Sequence, residues 1–472
     1  MSKLLHATQT KDAFTANGAL THSTSGSHCL DFFFEAGASR GKDLSHKFAL
    51  AQGENPLRAS QLLFWLRDVR GGAGERDLFR SLAKKVITPD NALRFMKLTL
   101  EVGRWDDLHV FLGTQYEDLV VSITADALLN DNALAAKWTP RSGTMFNLLR
   151  KKMELTPKEL RKILVRLSAT VEQLMSAGRW NEIDYNKLPS VASSRYMTAF
   201  HRQDESRYVA YKNALVKGEK GVKINAGAIF PYDITQKVRH ATSDTVRDVS
   251  QAQWQALPDY MSGNERKVLP IIDVSSSMDC QVSGSNTRLT CMDVAVSLGL
   301  YVSERNKSFF KDHYITFDDT PKLMKVSGPL HTRLNQIYKS PWGGSTNLVK
   351  VFDLILNAAV QHKLTQDDLP ETVIIFSDME FNVAFGRQGN YVTVFEAIDQ
   401  KFKARGYTRP QMVFWRLNTL TGKGNSPVKK GESGTQLVSG FSPSLLKSVL
   451  SETAVNPEET MLVAVDVPRY TL

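Results

Sequence analysis

The sequence predicts a two-domain protein, with an all-α helical-repeat part followed by a doubly wound α/β domain. Three observations support this fold class. The chain has 472 residues, more than one compact core usually holds. Apolar residues recur at helical spacing through the first half, and from Lys267 onward β-branched apolar runs alternate with helical patterns. We therefore expect a HEAT-like helical domain over residues 1–265 and an α/β domain over residues 266–472.

Helices separated by short turns account for the first half. In Leu57–Val69 the leucines recur at spacings that place them on one helical face, and the glycines of the turn 71–74 end that helix. Further helices are expected at Asp77–Val86, Asn91–Val102, Tyr116–Asn130, Thr144–Lys152 and Pro157–Ala177. Runs with a period of two are scarce here, which favours stacked antiparallel helix pairs over a sheet.

Buried strands alternate with helices in the second half. Strands are expected at 268–274, 314–317, 372–378, 411–417 and 435–440, and helices at 292–303, 347–359, 392–402 and 443–450. Strands that are apolar on both faces indicate a parallel sheet covered by helices on each side. Ligands of such sheets bind beyond the carboxyl ends of the strands.

Positive charge is concentrated in the first half of the chain. The net charge is +10, and residues 1–250 carry 36 Lys and Arg against 27 Asp and Glu, whereas the remainder carries 23 against 22. Lys and Arg release counterions from phosphates, so this asymmetry is compatible with a polyanionic partner, although a solvated basic surface would give the same count. The apolar runs are far shorter than the roughly 20 residues of a membrane span, and we expect no membrane partner.

Cysteine is sparse, with only Cys29, Cys280 and Cys291. The last two flank a predicted loop and could pair. Sparse use without metal-ligand spacing fits a reducing cytoplasm and thiols without a special role. The polar opening residues predict no secretory signal, so we expect a cytoplasmic protein.

A set of hydroxyl and carboxylate side chains follows the predicted strands. Asp273, Ser275 and Ser277 form a D-x-S-x-S pattern directly after the first strand, Thr346 lies in a glycine-containing loop, and Asp378 ends a later strand. Carboxyl ends of parallel strands meet at one edge of a sheet, so these oxygens can converge. A hard cation such as Mg²⁺ or Mn²⁺ prefers such ligands, and we expect one here.

The order of these residues resembles the metal-ion-dependent adhesion site (MIDAS) of von Willebrand factor A domains. The resemblance implies that Asp273, Ser275, Ser277, Thr346 and Asp378 hold Mg²⁺ and that an acidic side chain of a partner completes the coordination. Because Ser345 precedes Thr346, either hydroxyl could face the ion. Alternatively, the domain binds no ion and only closes a ring.

Several segments resemble the TROVE module of Ro-type RNA-binding proteins, and a less characterised family with the same helical-plus-A-domain plan. The most specific match is the segment LFWLRDVRGGAGER at 63–76; others are at 103–108, 180–185, 223–228, 377–381 and 439–443. The resemblance covers about 55–450 and implies a ring or curved stack of helical repeats closed by the A domain. It also implies binding of small structured RNAs and single-stranded RNA ends on basic surfaces of the helical part.

Two functional hypotheses follow. The first is RNA binding, with Arg70, Arg76 and Arg104 at predicted turns as candidate phosphate contacts, although Arg70 and Arg76 could instead pair with neighbouring carboxylates. The second is a protein-interaction module that captures an acidic partner through the metal site. We find no P-loop, zinc-protease motif or nucleophile elbow, and expect a binding protein rather than an enzyme.

Overall fold

A computed structural model of the protein describes residues 13–282, 288–316, 320–340, 347–382, 393–419 and 425–472. It has a helical part followed by a part built on a sheet, as the sequence predicts, although the sheet is mixed rather than wholly parallel.

A short hairpin opens the described chain, with β1 at Ala13–Phe14 paired antiparallel to β2 at Leu20–Thr21. Helices then follow one another to residue 255. They are α1 His28–Ala36, α2 Ser45–Glu54, α3 Pro56–Arg67, α4 Asp77–Ala83, α5 Ala92–Val102, α6 Glu117–Leu129, α7 Ala133–Trp138, α8 Thr144–Lys152, α9 Pro157–Ser168, α10 Val171–Ser176, α11 Ser190–Gln203, α12 Glu205–Lys217, α13 Pro231–Arg239 and α14 Asp244–Gln255.

The second part holds a six-stranded sheet. Its strands are β3 Val268–Ile272, β4 His313–Thr316, β5 Leu323–Lys325, β6 Thr372–Ser377, β7 Gln411–Arg416 and β8 Thr435–Ser439, and its helices are α15 Cys291–Arg305, α16 Leu330–Tyr338, α17 Leu348–Gln361, α18 Val394–Ala404, α19 Leu446–Val449 and α20 Pro457–Val465. The spatial order is β5-β4-β3-β6-β7-β8, and only β5 is antiparallel to its neighbour. Every residue of β3, β6 and β8 is buried, so both faces of the sheet are covered.

The strand order has a switch point at β3. The chain passes from β3 to β4 on one side and later returns to β6 on the other. The carboxyl ends of β3 and β6 therefore lie side by side, at the place where α/β sheets bind ligands.

One predicted helix is divided in two. The sequence predicts a continuous helix over Pro157–Ala177, whereas α9 ends at Ser168 and α10 begins at Val171. Between them Ala169 has a left-handed backbone with φ 37°, and Thr170 forms a capping box with Gln173 that starts the second helix. Local capping therefore overrides the continuous apolar spacing.

The helical part contacts the sheet part at both of its ends. At one end α1 packs on β8 and α3 packs on α20; at the other end α13 packs on α15 and α16. The hairpin also joins the sheet part, because the Thr15 hydroxyl donates to the Phe381 carbonyl oxygen at 2.6 Å. The chain consequently closes on itself.

Most buried apolar residues of both parts form one continuous core. A smaller core within residues 171–252 includes Tyr185, Phe200 and Tyr208. Among the described residues, no helix combines the length and the apolar character needed to cross a membrane.

Candidate nucleic-acid interface and metal site

A cavity of about 650 Å³ lies where the two parts of the chain meet. Its walls come from segments that are far apart in the sequence: the turn after α3, the ends of α5 and α7, the start of α13, and residues Val282, Leu289 and Arg469 of the sheet part. The cavity therefore exists only because the helical part closes against the sheet part.

The turn at 71–76 forms one wall, and close packing explains its glycines. A Cβ on Gly72 would overlap the carbonyl oxygen of Trp65, so the requirement there is space rather than a left-handed backbone. Gly74 does have a positive φ of 72°. The backbone N–H of Glu75 donates to the Leu66 carbonyl oxygen at 2.7 Å and folds the turn back on α3. Arg70 and Arg76 are thereby held on either side of a rigid turn.

Basic side chains outnumber acidic ones on the cavity wall. The basic residues are Arg40, Arg67, Arg70, Arg76, Arg104, Lys137 and Arg469, and the acidic residues are Asp68, Glu75, Asp77, Glu101 and Asp233. Several arginines are neutralised within the protein, in the pairs Arg40–Glu75 at 3.5 Å, Arg67–Asp107 at 2.8 Å, Arg76–Asp77 at 3.1 Å and Arg469–Asp68 at 2.6 Å.

Three cations of the cavity have no carboxylate partner in the described part of the chain. Arg70, Arg104 and Lys137 are solvent-exposed and take part in none of the ion pairs found there. The Arg104 side chain is exposed at its surface but partly enclosed by the cavity wall, and this partial burial lowers the pKa of its guanidinium, as does the neighbouring Arg67. An arginine stays charged despite such a shift. Each of these three side chains can bind a phosphate without breaking an ion pair.

Asp107 fixes the geometry behind this wall. Its carboxylate is fully buried and receives the Nε of Arg67 at 2.8 Å, the Nε of Arg80 at 2.7 Å and the backbone N–H of Arg104 at 2.7 Å. Arg80 also reaches Asp106 at 2.7 Å. The backbone from which Arg104 projects is therefore held by a satisfied buried network.

Aromatic rings lie beside the free cations. The guanidinium carbon of Arg104 is 4.7 Å from the centroid of the half-buried Trp138 ring. Across the cavity, Phe230 and Tyr232 stack with centroids 5.5 Å apart and an interplanar angle of 19°. Cations that bind phosphates, next to rings on which bases can stack, are the groups that single-stranded nucleic acid requires.

The three arginines expected from the sequence all lie on the cavity wall, although they differ in their contacts. Arg70 has no ion pair among the described residues, Arg104 contacts Trp138, and Arg76 pairs with Asp77, the alternative that the sequence left open. Sequence reasoning missed Lys137 and Trp138. The adjacent basic and aromatic residues at a helix end were a sequence signal that could have identified this pair as candidate RNA contacts.

The D-x-S-x-S residues converge at the carboxyl end of β3. Asp273 is fully buried; its Oδ1 accepts the backbone N–H of Ser275 at 3.0 Å, and its Oδ2 accepts the Ser377 hydroxyl at 2.6 Å. The hydroxyl oxygens of Ser275 and Ser277 are 3.0 Å apart. Three of the expected metal ligands thus come close together.

The second carboxylate lies at the end of the neighbouring strand. Asp378 follows β6 and is 3% exposed, and its Oδ1 accepts the backbone N–H of Glu380 at 3.1 Å. Thr346, the remaining expected ligand, lies outside the described residues. Within the described residues, no group of three or more His, Cys, Asp or Glu side chains could hold a metal ion. Any ion here would depend on hydroxyl and water ligands as well as on the two carboxylates.

Electrostatics at this site favour a cation. Burial raises the pKa of Asp273 to about 7, and the nearby Asp378 adds to the shift. Two buried carboxylates beside each other repel when both are ionised, and a bound cation relieves that repulsion. The chemistry of the donor set therefore fits a hard divalent ion.

Two family models match the chain. Residues 267–468 match a domain of unknown function, DUF7788, and residues 15–85 and 118–265 match another, DUF2828. A relative is the uncharacterized protein L728 of Acanthamoeba polyphaga mimivirus, which is 29% identical over 510 residues, with 95% of this chain and 86% of the relative covered.

Among solved structures, the chain is similar to the Ro (RSR) protein of Deinococcus radiodurans. The TM-score is 0.50 at 14% sequence identity, and the match covers 94% of this chain and all of the Ro chain. At this identity the likeness concerns the fold. The chain therefore has a Ro-like arrangement of a helical part and an α/β part along nearly its whole length.

Proposed function

We propose that the protein binds RNA, with a single-stranded segment held in the cavity between the helical part and the sheet part. The observation that carries this proposal is that Arg70, Arg104 and Lys137, three exposed cations with no ion pair among the described residues, line one cavity in which Arg104 and Lys137 lie over the ring of Trp138. The Ro-like fold and the sequence resemblance to Ro-type RNA-binding proteins support it.

The proposed role is binding rather than catalysis. Arginine and lysine would position the phosphates, while Trp138, Phe230 and Tyr232 would stack on bases of any sequence. Such a site favours single strands over duplexes because only unpaired bases expose their faces. Sequence preference would then come from stacking strength rather than from base-edge hydrogen bonds.

Binding of labelled RNA to the full chain tests this proposal. Single-stranded RNA, a stem-loop with a free single-stranded end, and a blunt duplex are titrated at moderate salt. We expect the first two to bind and the blunt duplex to bind more weakly. Affinity no better than that of a non-binding protein for all three would refute the proposal.

A second function is supported by the site at the end of β3 and β6. We propose that the sheet part is a von Willebrand factor A-type domain whose site binds Mg²⁺ or Mn²⁺ and captures an acidic residue of a protein partner. The support is the position of Asp273 and Asp378 at the switch point and the 3.0 Å approach of the Ser275 and Ser277 hydroxyls. With an ion bound, Asp273 and the two serines would hold it and leave a position for the partner's carboxylate.

Pull-downs from nuclease-treated extract test this second function. We expect a partner that is lost with EDTA and with Asp273→Ala, and retained with Asp279→Ala, a matched change at an exposed carboxylate nearby. An identical set of proteins in all conditions would refute metal-dependent capture while leaving RNA binding intact.

A further inference from the structure

Two cysteines of the sheet part, Cys280 and Cys291, lie in contact with each other. The Sγ atoms of Cys280 and Cys291 are 3.3 Å apart; Cys280 is partly exposed and Cys291 is 1% exposed. Both are free thiols, as is the distant Cys29. Cys29 is buried near Glu54, and burial raises its pKa to about 12. The three cysteines therefore differ sharply in their surroundings.

The backbone next to the paired cysteines forms a short antiparallel ribbon, in which residues 280–282 pair with residues 289–291. The N–H of Cys291 donates to the carbonyl oxygen of Cys280 at 3.2 Å, Gln281 and Thr290 form a bridge, and the N–H of Val282 donates to the Leu289 carbonyl oxygen at 2.9 Å. Cys280 and Cys291 are thus directly opposed residues, joined by one of the two backbone hydrogen bonds of a hydrogen-bonded pair. Such pairs have Cα atoms about 5.5 Å apart, within the range that disulfides span.

The surroundings of Cys280 favour the thiolate, which is the reactive form. The hydrogen bond between the two thiols lowers the pKa of Cys280, and the ammonium group of Lys42 lowers it further, against the effects of burial and of Asp378. Asn418 donates from Nδ2 to the Cys280 sulfur at 3.4 Å and accepts from Lys42 Nζ at 2.8 Å. The hydrogen bond with Cys280 raises the pKa of Cys291, and burial raises it further. Cys280 is therefore suited to attack an oxidant, and Cys291 is suited to react with the oxidised Cys280 to form the disulfide.

The ribbon reaches from this pair to the cavity. Val282 and Leu289, two residues beyond the cysteines on each strand, form part of the cavity wall. On its other side the ribbon continues from the 3₁₀ turn Ser276–Asp279, which includes the expected ligand Ser277. A disulfide between Cys280 and Cys291 would join the two sides of the ribbon at the end farther from Val282 and Leu289, the residues that line the cavity.

We propose that Cys280 and Cys291 are a reversible redox pair whose disulfide, formed with a peroxide or a low-molecular-weight disulfide as oxidant, locks the ribbon that lines the cavity. With hydrogen peroxide, the Cys280 thiolate attacks one oxygen, the O–O bond breaks, and hydroxide leaves and takes up a proton. The Cys291 sulfur then attacks the resulting sulfenic acid and expels a second water. Two thiols and one peroxide thus give one disulfide and two waters.

Oxidation of the full chain tests the disulfide directly. After treatment with hydrogen peroxide or oxidised glutathione, we expect an intact mass lower by two hydrogens, a cross-linked peptide joining Cys280 and Cys291, and recovery of both thiols with dithiothreitol. Cys280→Ser and Cys291→Ser should each abolish the cross-link, whereas Cys29→Ser, the matched control, should retain it. Oxidation of Cys280 to sulfinic acid without a cross-linked peptide, or reaction of Cys29 at the same rate, would overturn the proposal.

The effect on the ribbon is measured separately and does not depend on whether the cavity binds RNA. Amide hydrogen exchange at Val282 should slow by about tenfold or more in the oxidised protein, because the bond restricts local opening of the ribbon. A disulfide that forms without changing this exchange would overturn the locking step. RNA affinity of the two redox forms is then a third measurement, and its failure would bear only on the proposed function.

Discussion

Removing the three free cations of the cavity should weaken RNA binding and reduce its dependence on salt. The variant is Arg70→Ala, Arg104→Ala and Lys137→Ala combined. All three side chains are exposed on the cavity wall without an ion pair in the described part of the chain, so their removal leaves no carboxylate unpaired. The fold should therefore survive, and the loss should appear in binding.

The expected size of the effect follows from counterion release. Each phosphate neutralised on a single strand contributes about 0.7 to the slope of log affinity against log salt concentration, so three lost contacts reduce the slope by about 2. Over a fourfold rise in salt, the wild-type protein should then lose about 15- to 20-fold more affinity than the variant.

The assay is fluorescence anisotropy with a labelled single-stranded RNA at several salt concentrations. The matched control is Lys151→Ala, Lys152→Ala and Lys158→Ala combined, which removes the same charge from exposed positions on α8 and α9 that do not line the cavity. We expect the control to keep most of the wild-type slope. If both variants lower the slope equally, binding reflects overall charge, and the RNA does not bind specifically in the cavity.

Four further predictions follow from individual contacts. Trp138→Ala should cost about 1–3 kcal/mol of single-strand affinity with little change in salt slope, whereas Trp138→Phe should retain most of it; equal losses in titrations would argue against stacking. Asp107→Ala should lower the free energy of unfolding by about 3–5 kcal/mol in denaturant titrations, because it leaves the buried Arg67 without its carboxylate partner. A change under about 1 kcal/mol would contradict that network. Gly37→Val should lower the melting temperature, since a Cβ there overlaps a carbonyl oxygen of β8, while Gly53→Val, at an open position, should have a smaller steric effect. Because the pKa of Asp273 is raised, the stability that its protonated carboxyl group supplies at low pH is lost as pH rises through about 7. Mg²⁺ should therefore raise the melting temperature more at about pH 8 than at about pH 5.5. A shift in melting temperature that is independent of pH would contradict the proposed site.

The sequence predicted those features that arise from local periodicity. The alternation of buried strands with helices after Lys267 gave the sheet part, and the helical spacing in Thr144–Lys152 matches α8. The antiparallel strand β5 was not predicted, because Leu323–Lys325 is short and mostly exposed and shows no clear pattern.

Features that depend on distant contacts could not be read from the sequence in the same way. The turn at 71–76 was recognised by its glycines, but the need for Gly72 is the closeness of the Trp65 carbonyl oxygen. Arg70 and Arg104 were singled out as turn residues, whereas their shared cavity follows from closure of the chain. Closure depends on packing such as that of α1 on β8, between segments about 400 residues apart, as in the 3.1 Å hydrogen bond from Gly37 N–H to the Ser439 hydroxyl.

The most direct test of the central claim is to locate bound RNA on the chain. Single-stranded RNA carrying 4-thiouridine is cross-linked to the full protein by ultraviolet light, and the modified peptides are identified by mass spectrometry. The RNA-binding proposal predicts cross-links at the cavity aromatics Trp138, Phe230 and Tyr232. Cross-links confined to surfaces outside the cavity, such as the exposed faces of α8 and α9, would contradict it.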